Sequence, residues 1–318
     1  MTPLLSYQDV LLVPKYSELP SRDLADTSVN FLGRKFKLPV IPSNMSSVID
    51  ADIAKLLSQN GYFYIMHRFG DTNKFVIEAN EEKWDLVSVS IGVNEDEQWL
   101  WALAGFRIDY LTIDIANAYC LKAKERIKLL KKLFPKTRLI VGNVATPDAI
   151  CDLTEWGADA IKVGIGNGSI CTTRFQTGFS IPIFSCVKSC CDSHYWPNNG
   201  YKEIPNTPII ADGGAETTGD ISKALVARAK MVMTGNLFAS CSDSPAKIRD
   251  GKKVYFGSTS FEAKGHRKHI EGKAIELPVD MTYKEKLEEI TESLQSSISY
   301  AGGKDLSAFN NVEWISVK

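Results

Sequence analysis

The stretch RLIVGNVATPDAICDLTEWGADAIKVGIG, residues 138–166, contains the unit that decides the fold. Its two ends, 138–145 and 158–166, are runs of mostly apolar residues that read as buried strands. Between them, TPDAICDLTEWGA has the spacing of an amphipathic helix with Thr146 near its start. A strand, a helix and a second strand in this order predict a βαβ unit with parallel strands.

Similar runs recur along the chain, most of them beginning about 20 to 30 residues apart, with helical patterns between them. Eight such strands predict an α/β fold, a (β/α)8 TIM barrel formed as a single catalytic domain over residues 1–318. A doubly wound open sheet is the alternative, and it fits less well because no GxGxxG follows the first strand. The eight predicted strands are 36–45, 62–69, 86–93, 110–117, 138–145, 158–166, 207–214 and 229–238.

Two segments interrupt this period. Residues 164–190 begin with the glycine-rich loop GIGNGSICTTR and are predicted to form a catalytic loop with the segment that follows it. Residues 242–280, after the eighth strand, are polar and glycine-dotted, and they are too long for an ordinary connection. They are predicted to form a mobile flap, or lid, inserted before the last helix. That helix is expected to begin at a capping box, Thr282 to Glu285.

Composition excludes several classes of function. The 318 residues carry a net charge of −1, so nothing in the overall charge favours nucleic acid or an anionic membrane as a partner. No apolar run approaches the ~20 residues that a membrane span needs. The seven cysteines have no regular spacing, which predicts free thiols and a reducing, cytoplasmic location. The histidines form no zinc-ligand pattern.

The barrel prediction places the active site at the carboxyl ends of the strands. Strand seven ends in Asp212-Gly213-Gly214 and strand eight in Thr234-Gly235-Asn236, and both loops offer backbone N–H groups to a phosphate. Strand six runs into the loop that carries Cys171. A cysteine among glycines and threonines favours a presented nucleophile over a packed apolar residue.

Four segments resemble the IMP dehydrogenase/GMP reductase family: LSYQDVLLVPKYSEL (5–19), GIGNGSICTTR (164–174), IADGG (210–214) and MTGNLFA (233–239). With shorter matches between them, the resemblance covers essentially the whole chain in the expected order. No insertion of ~120 residues interrupts the barrel pattern, as it does in most IMP dehydrogenases, and 242–280 lacks their Arg-Tyr pair. Glu271-Gly272-Lys273 is similar to the EGK context of the reductase branch.

The resemblance implies an NADPH-dependent reductive deamination of GMP to IMP and ammonia, through a covalent thioimidate on Cys171. By the same comparison, Thr173 and Glu271 would protonate the leaving nitrogen. IMP dehydrogenase is the enzymatic alternative, and a purine-nucleotide-binding regulator without turnover is another. Asn167 departs from the family, which usually has proline there, and Lys268 stands where some relatives have arginine.

Further site residues are carried over from the family. The resemblance implies a cytoplasmic homotetramer that uses NADPH, with a possible potassium ion held by backbone carbonyls of Gly166, Gly168 and Cys171. The residues expected at the nucleotide are Met45, Ser169, Asp212, Gly213, Gly214, Gly235, Asn236, Gly257, Ser258, Thr259, Lys268 and Gly272. Those expected at the cofactor are Arg68, Asp114, Ile115, Ala116, Gly166, Ser296, Ser297, Ile298 and Ser299.

Overall fold

The computed structural model of this protein describes residues 4–192, 203–266 and 268–317. The described strands are β1 (Val10–Leu12), β2 (Val29–Phe31), β3 (Arg34–Phe36), β4 (Val40–Pro42), β5 (Ser88–Ile91), β6 (Tyr110–Asp114), β7 (Arg138–Val144), β8 (Ala160–Val163), β9 (Ile209–Asp212), β10 (Met231–Thr234), β11 (Ile248–Arg249), β12 (Lys252–Phe256), β13 (Ala274–Pro278) and β14 (Trp314–Ser316). The described α-helices are α1 (Ala51–Gln59), α2 (Thr72–Glu81), α3 (Glu97–Leu103), α4 (Leu121–Leu133), α5 (Pro147–Trp156), α6 (Thr173–Thr177), α7 (Ile183–Cys191), α8 (Thr218–Val226), α9 (Asn236–Ala239), α10 (Phe261–Lys264) and α11 (Tyr283–Tyr300).

Seven strands form one parallel sheet in the order β4-β10-β9-β8-β7-β6-β5. From β5 to β10 each strand pairs with the next one along the chain, and β10 then pairs with β4, which precedes all of them. The order contains no reversal, whereas a doubly wound sheet requires one. The chain therefore has an α/β fold with a curled, TIM-barrel-like parallel sheet.

The second predicted strand, 62–69, contributes only one bridge to this sheet. Met66 donates its N–H to the Ser88 carbonyl and accepts from the Ser90 N–H, at 3.0 Å each, which places it beside Val89. Phe63, Tyr64 and Ile65 are fully buried. The prediction of a buried extended segment is therefore confirmed, but that of a full strand is not, because Met66 alone is paired in register with β5.

The helices begin where the sequence signals predict. Asp50, Thr146 and Thr217 cap α1, α5 and α8, each accepting a hydrogen bond from a backbone N–H in the first turn. The capping box of Thr282 and Glu285 opens α11. No helix among the residues that the structure describes is both long and apolar enough to cross a membrane, and all seven cysteines are free thiols.

The segments outside the period have their own structure. At the two ends of the chain, β1 and β14 pair in antiparallel fashion, and β2 and β3 form a hairpin. Phe31 and Phe36 of the hairpin pack on Phe63 and Tyr110 with ring centroids 5.1–6.3 Å apart. Within 242–280, β11, β12 and β13 form a three-stranded antiparallel sheet, with α10 between β12 and β13.

Candidate active site

Six strands of the parallel sheet end around one pocket of about 220 Å3. Barrel-type enzymes carry their active sites at this carboxyl edge, because the loops that leave it converge there. Most of the site residues predicted from the sequence meet in this pocket. They are Met45, Arg68, Asp114, Ile115, Ala116, Gly166, Gly168, Ser169, Cys171, Thr173, Asp212, Gly213, Gly214, Gly235, Asn236, Gly257, Ser258, Thr259, Glu271 and Gly272.

A continuous hydrogen-bonded chain runs from a thiol to a carboxylate. The Sγ of Cys171 donates to the hydroxyl of Thr173 over 3.2 Å, and that hydroxyl donates to Oε2 of Glu271 over 2.7 Å. Cys171 lies just before α6 and Thr173 is the first residue of that helix. The hydroxyl stands between the two ionisable groups, so a proton can pass from the sulfur to the carboxylate through it.

Glu271 reaches this position because its segment pairs with the catalytic loop. The Thr172 N–H donates to the Glu271 carbonyl over 2.8 Å, and the Lys273 N–H donates to the Ile170 carbonyl over 2.9 Å. Cys171 and Gly272 form an antiparallel bridge. This short backbone pairing fixes the distance between the nucleophile and the carboxylate, although 98 residues separate Thr173 from Glu271 in sequence.

The loops after β9 and β10 are narrow and rich in backbone N–H groups. Gly214 has φ +79°, a left-handed conformation that glycine adopts without strain. A Cβ on Gly235 would lie 2.1 Å from the Tyr255 hydroxyl oxygen and 2.9 Å from Cε of Met45, so only glycine fits there without displacing both neighbours. The geometry suits a phosphate, which approaches bare backbone more closely than a side chain would allow.

The floor of the pocket holds a buried cluster of charges. Nζ of Lys162 lies 2.5 Å from Oδ1 of Asp114, 3.2 Å from Oδ2 of Asp212 and 3.3 Å from Oδ1 of Asn44. Asn143 donates to the same Oδ2 of Asp212 over 2.8 Å. Burial raises the pKa of Asp114, but attraction to the Lys162 ammonium outweighs this effect and holds that pKa below its usual range.

Five predicted residues lie outside the pocket. Ser296, Ser297, Ile298 and Ser299 belong to the last turns of α11, where the Ser296 hydroxyl accepts from Arg22 over 3.1 Å and Ile298 is buried. Lys268 is an exposed residue between α10 and β13. Within one chain, the structure does not bring these five side chains to the nucleophile.

A second, larger cavity of about 630 Å3 lies at the amino ends of β6 and β7. Arg34, Arg107, Lys136 and Arg138 line it together with the ends of α3 and α4. Cations are favourable at helix carboxyl ends, which accounts for this charge without a ligand. The cavity contains none of the predicted site residues, so its size does not make it the candidate active site.

Among the pocket residues that were not predicted from the sequence are Asn44, Asn143, Lys162 and Tyr255. Lys162 had a signal, because a lysine within the apolar run ADAIKV is costly to bury unless it is paired. Asn143 and Asn44 end or follow strands, a position that favours site residues in a barrel. Nothing in the sequence indicated that Tyr255 would line the pocket, because its place beside Gly235 depends on how β12 packs.

Comparisons with known proteins place this chain in a family over nearly its full length. The family model described as "IMP dehydrogenase / GMP reductase domain" matches residues 4–317. The chain is 45% identical over 320 residues to a protein of Chromobacterium violaceum named GMP reductase, covering 98% of each chain. It is 43% identical to the GMP reductase of Lactococcus lactis subsp. cremoris, covering 99% of this chain and 95% of that one. It is 41% identical to the GMP reductase of Streptococcus suis, covering 100% and 96%. The chain belongs to the IMP dehydrogenase/GMP reductase family.

Proposed function

We propose that this chain catalyses the NADPH-dependent reductive deamination of GMP to IMP and ammonia. The observation that carries the proposal is the hydrogen-bonded chain Cys171–Thr173–Glu271, which joins a nucleophile to a proton relay at the carboxyl edge of the sheet. The relatives named GMP reductase, which this chain matches over nearly the full length, support the same reaction.

In the first step, Cys171 displaces the amine from the purine, and the protein supplies the proton that the amine needs to leave. The Cys171 sulfur forms a bond to C2 of the purine, and the C2–N bond of the exocyclic amine breaks. The thiol proton passes through the Thr173 hydroxyl and Glu271 to the amine, which leaves as ammonia. The product of this step is a thioimidate on Cys171. General acid help matters here because an unprotonated amine is a poor leaving group.

NADPH, when bound, supplies the hydride that C2 receives as the carbon–sulfur bond breaks and the thiolate regains a proton. The residues beside Cys171 fit such a cofactor: the Arg68 guanidinium suits a phosphate, and Asp114, Ile115 and Ala116 form an open strand end in the same pocket. These residues would hold and orient the cofactor. Asp212 would accept hydrogen bonds from the ribose hydroxyls of the nucleotide, and the loops at Gly214 and Gly235 would bind its phosphate.

Three finer features belong to the proposal. The sheet and the Met66 bridge together make a closed eight-stranded barrel, and the flap 242–280 moves away to admit the nucleotide. The third is a potassium ion at the carbonyls of Gly166, Gly168 and Cys171. The Gly168 carbonyl accepts the Cys171 N–H over 3.0 Å and keeps a second lone pair for a cation. A lack of rate difference between potassium and sodium buffers would remove the ion from the proposal.

The decisive test is turnover with identified products. Purified protein incubated with GMP and NADPH is expected to oxidise the cofactor and release IMP and ammonia, and Cys171→Ala is expected to bind GMP without turnover. Activity only with IMP and NAD would assign the chain to the dehydrogenase reaction. Binding of GMP without any cofactor oxidation would instead favour a nucleotide-binding regulator.

A further inference from the structure

The buried Lys162 lines the pocket, and it has no role in the proposed reaction as described so far. The residue is 1% exposed, and its side chain projects from β8 into the floor of the site. Its ammonium donates hydrogen bonds to Asp114 and Asn44 and forms an ion pair with Asp212. These acceptors come from or follow β6, β9 and β4, so one nitrogen ties together the ends of four strands.

The neighbouring strand lies very close to Lys162. Gly142 of β7 pairs with Lys162 of β8, and a Cβ on Gly142 would lie 2.4 Å from Cβ of Lys162 and 2.9 Å from its carbonyl oxygen. A glycine at this position therefore permits the close approach of β7 to β8. The next residue, Asn143, donates to Oδ2 of Asp212 over 2.8 Å, so the lysine and the asparagine hold that oxygen from two sides.

The two carboxylates that Lys162 contacts serve different ligands in the proposed reaction. Asp212 would take the ribose of the nucleotide, and Asp114 stands at the cofactor side beside Ile115 and Ala116. Because an oxygen of each lies within about 3.2 Å of the same nitrogen, their separation is fixed by that nitrogen. Hydride transfer depends on the relative position of the two ligands, so a group that fixes both anchors also fixes the reacting distance.

We propose that Lys162 is a positioning residue that locks the nucleotide-binding carboxylate of Asp212 to the cofactor-side carboxylate of Asp114. The inference rests on the proposed function. The proposed reaction routes no step through Lys162, so it acts through the two carboxylates. It supplies one positive charge to a floor that would otherwise hold two adjacent, half-buried anions.

The charges around the cluster decide what its removal does. Asp114 faces Lys162 from β6 and Asp212 faces it from β9, while Arg68 acts on Asp114 from the pocket rim. Without the lysine, the pKa of Asp114 rises, because burial still raises it while the attraction that lowered it is gone. As the pH falls, the cluster then takes up a proton, and its hold on the ligands is weakened.

The test uses Lys162→Met with a matched control, Lys253→Met. Lys253 is also buried, 2% exposed, but its ammonium donates to the carbonyls of Ser244 and Ala246 and lines no part of the pocket. Lys162→Met is expected to lower kcat/KM for GMP and for NADPH by roughly 10- to 100-fold. It is also expected to make GMP binding weaken more steeply than in the wild type as the pH falls, because the cluster then takes up a proton. Lys162→Arg keeps the charge and is expected to restore the wild-type pH profile even where its bulk lowers kcat.

Direct measurement of GMP binding by calorimetry separates this inference from the proposed function. If the wild type neither binds nor reduces GMP, the proposed function is wrong. If the wild type reduces GMP but Lys162→Met behaves like Lys253→Met in both KM values and in the pH profile, Lys162 is only a structural ion pair.

Should Lys162→Met fail to fold, the double variant Lys162→Met, Asp114→Asn leaves a single carboxylate and is expected to bind GMP without the new pH dependence. A double variant whose GMP binding still depends on pH more steeply than that of the wild type would overturn the inference.

Discussion

At the scale of single residues, the site works through short polar chains rather than through isolated groups. The Thr173 hydroxyl accepts from the Cys171 thiol and donates to the Glu271 carboxylate, so it can take a proton on one side while it gives one on the other. This arrangement matches the need of the first step, in which the proton lost by sulfur must reach nitrogen. The hydride step needs no such acid at the amine, because the amine has left.

Glu271→Gln therefore separates the two steps. It is expected to slow ammonia release from GMP by about 10²- to 10⁴-fold, because an amide cannot relay the proton. Hydride exchange between IMP and the oxidised cofactor should lose much less. NADPH oxidation with GMP and isotope exchange with IMP measure the two steps. Glu262→Gln, an exposed glutamate of the same segment, is the control and is expected to change neither. Equal losses in both assays would contradict the acid role of Glu271.

The ion pair of Asp114 predicts an acid limit to stability. The pKa of Asp114 is lower in the folded protein than its usual value of 3.8, despite burial, because Lys162 favours the ionised form. The stabilisation is therefore complete above the unfolded pKa and is lost as the pH falls through the folded one. The free energy of unfolding of the wild type should exceed that of Asp114→Asn by about 1–3 kcal/mol near pH 6. The two should converge below about pH 3, and urea titrations at several pH values measure this. A difference that stays constant with pH would contradict the assignment.

At the scale of elements, the site depends on loops that are held by one another. The catalytic loop pairs with the segment before β13 through Thr172–Glu271 and Ile170–Lys273 backbone bonds, so neither loop is set by its own sequence alone. The loop after β10 is similarly set by β12, whose Tyr255 hydroxyl closes against Gly235. Glycines in these loops should therefore tolerate substitution by a larger residue far less well than glycines in helices do.

A pair of glycine substitutions tests this contrast. Gly235→Ala introduces a Cβ that would overlap the Tyr255 hydroxyl, so it is expected to destabilise the fold by about 1–3 kcal/mol and to weaken GMP binding. Gly219→Ala lies within α8, where the nearest atom to the new Cβ would be 3.8 Å away. It is expected to be neutral or to stabilise by up to about 1 kcal/mol. Thermal unfolding and GMP titration of both variants make the comparison, and equal behaviour would argue against the packed loop.

At the scale of the whole molecule, one chain gathers the nucleophile, the relay and the phosphate loops but leaves Ser296 to Ser299 on α11, away from the pocket. If these residues contact the cofactor as the family resemblance implies, a second copy has to bring them. The proposed cofactor role of this segment therefore requires the proposed homotetramer, and the two are tested together.

Sedimentation is expected to give a mass well above the 35.2 kDa of one chain. Ser296→Ala with Ser299→Ala is expected to raise KM for NADPH several-fold and to leave the dissociation constant of GMP unchanged, because the cofactor alone would reach a neighbouring subunit. Ser307→Ala, in the 3-10 helix near the carboxyl end, serves as the control. A fully active monomer with an unchanged KM for NADPH would remove both proposals.

Much of the fold was readable from the sequence alone. The period of apolar runs predicted the parallel strands, and the caps at Thr146, Thr217 and Thr282 predicted helix starts, since both signals depend on residues near one another in the chain. The prediction of a full strand at 62–69 was wrong. Any buried segment is apolar, so the sequence does not reveal that only Met66 pairs with the sheet. The glycine-rich loop that carries Cys171 could also be recognised, because its signal depends only on residues that are neighbours in sequence.

Contacts across the molecule were decided only by the tertiary structure. Three such contacts join residues that are distant along the chain: Lys162 with Asp114 and Asp212, Gly142 with the backbone of Lys162, and Tyr255 with Gly235. Local patterns fix periodicity and caps, whereas a distance between two loops depends on how the whole sheet curls. The sequence therefore determined most of the elements that form and placed Cys171 in a glycine-rich loop, whereas the packing of the sheet decided which charges line the pocket.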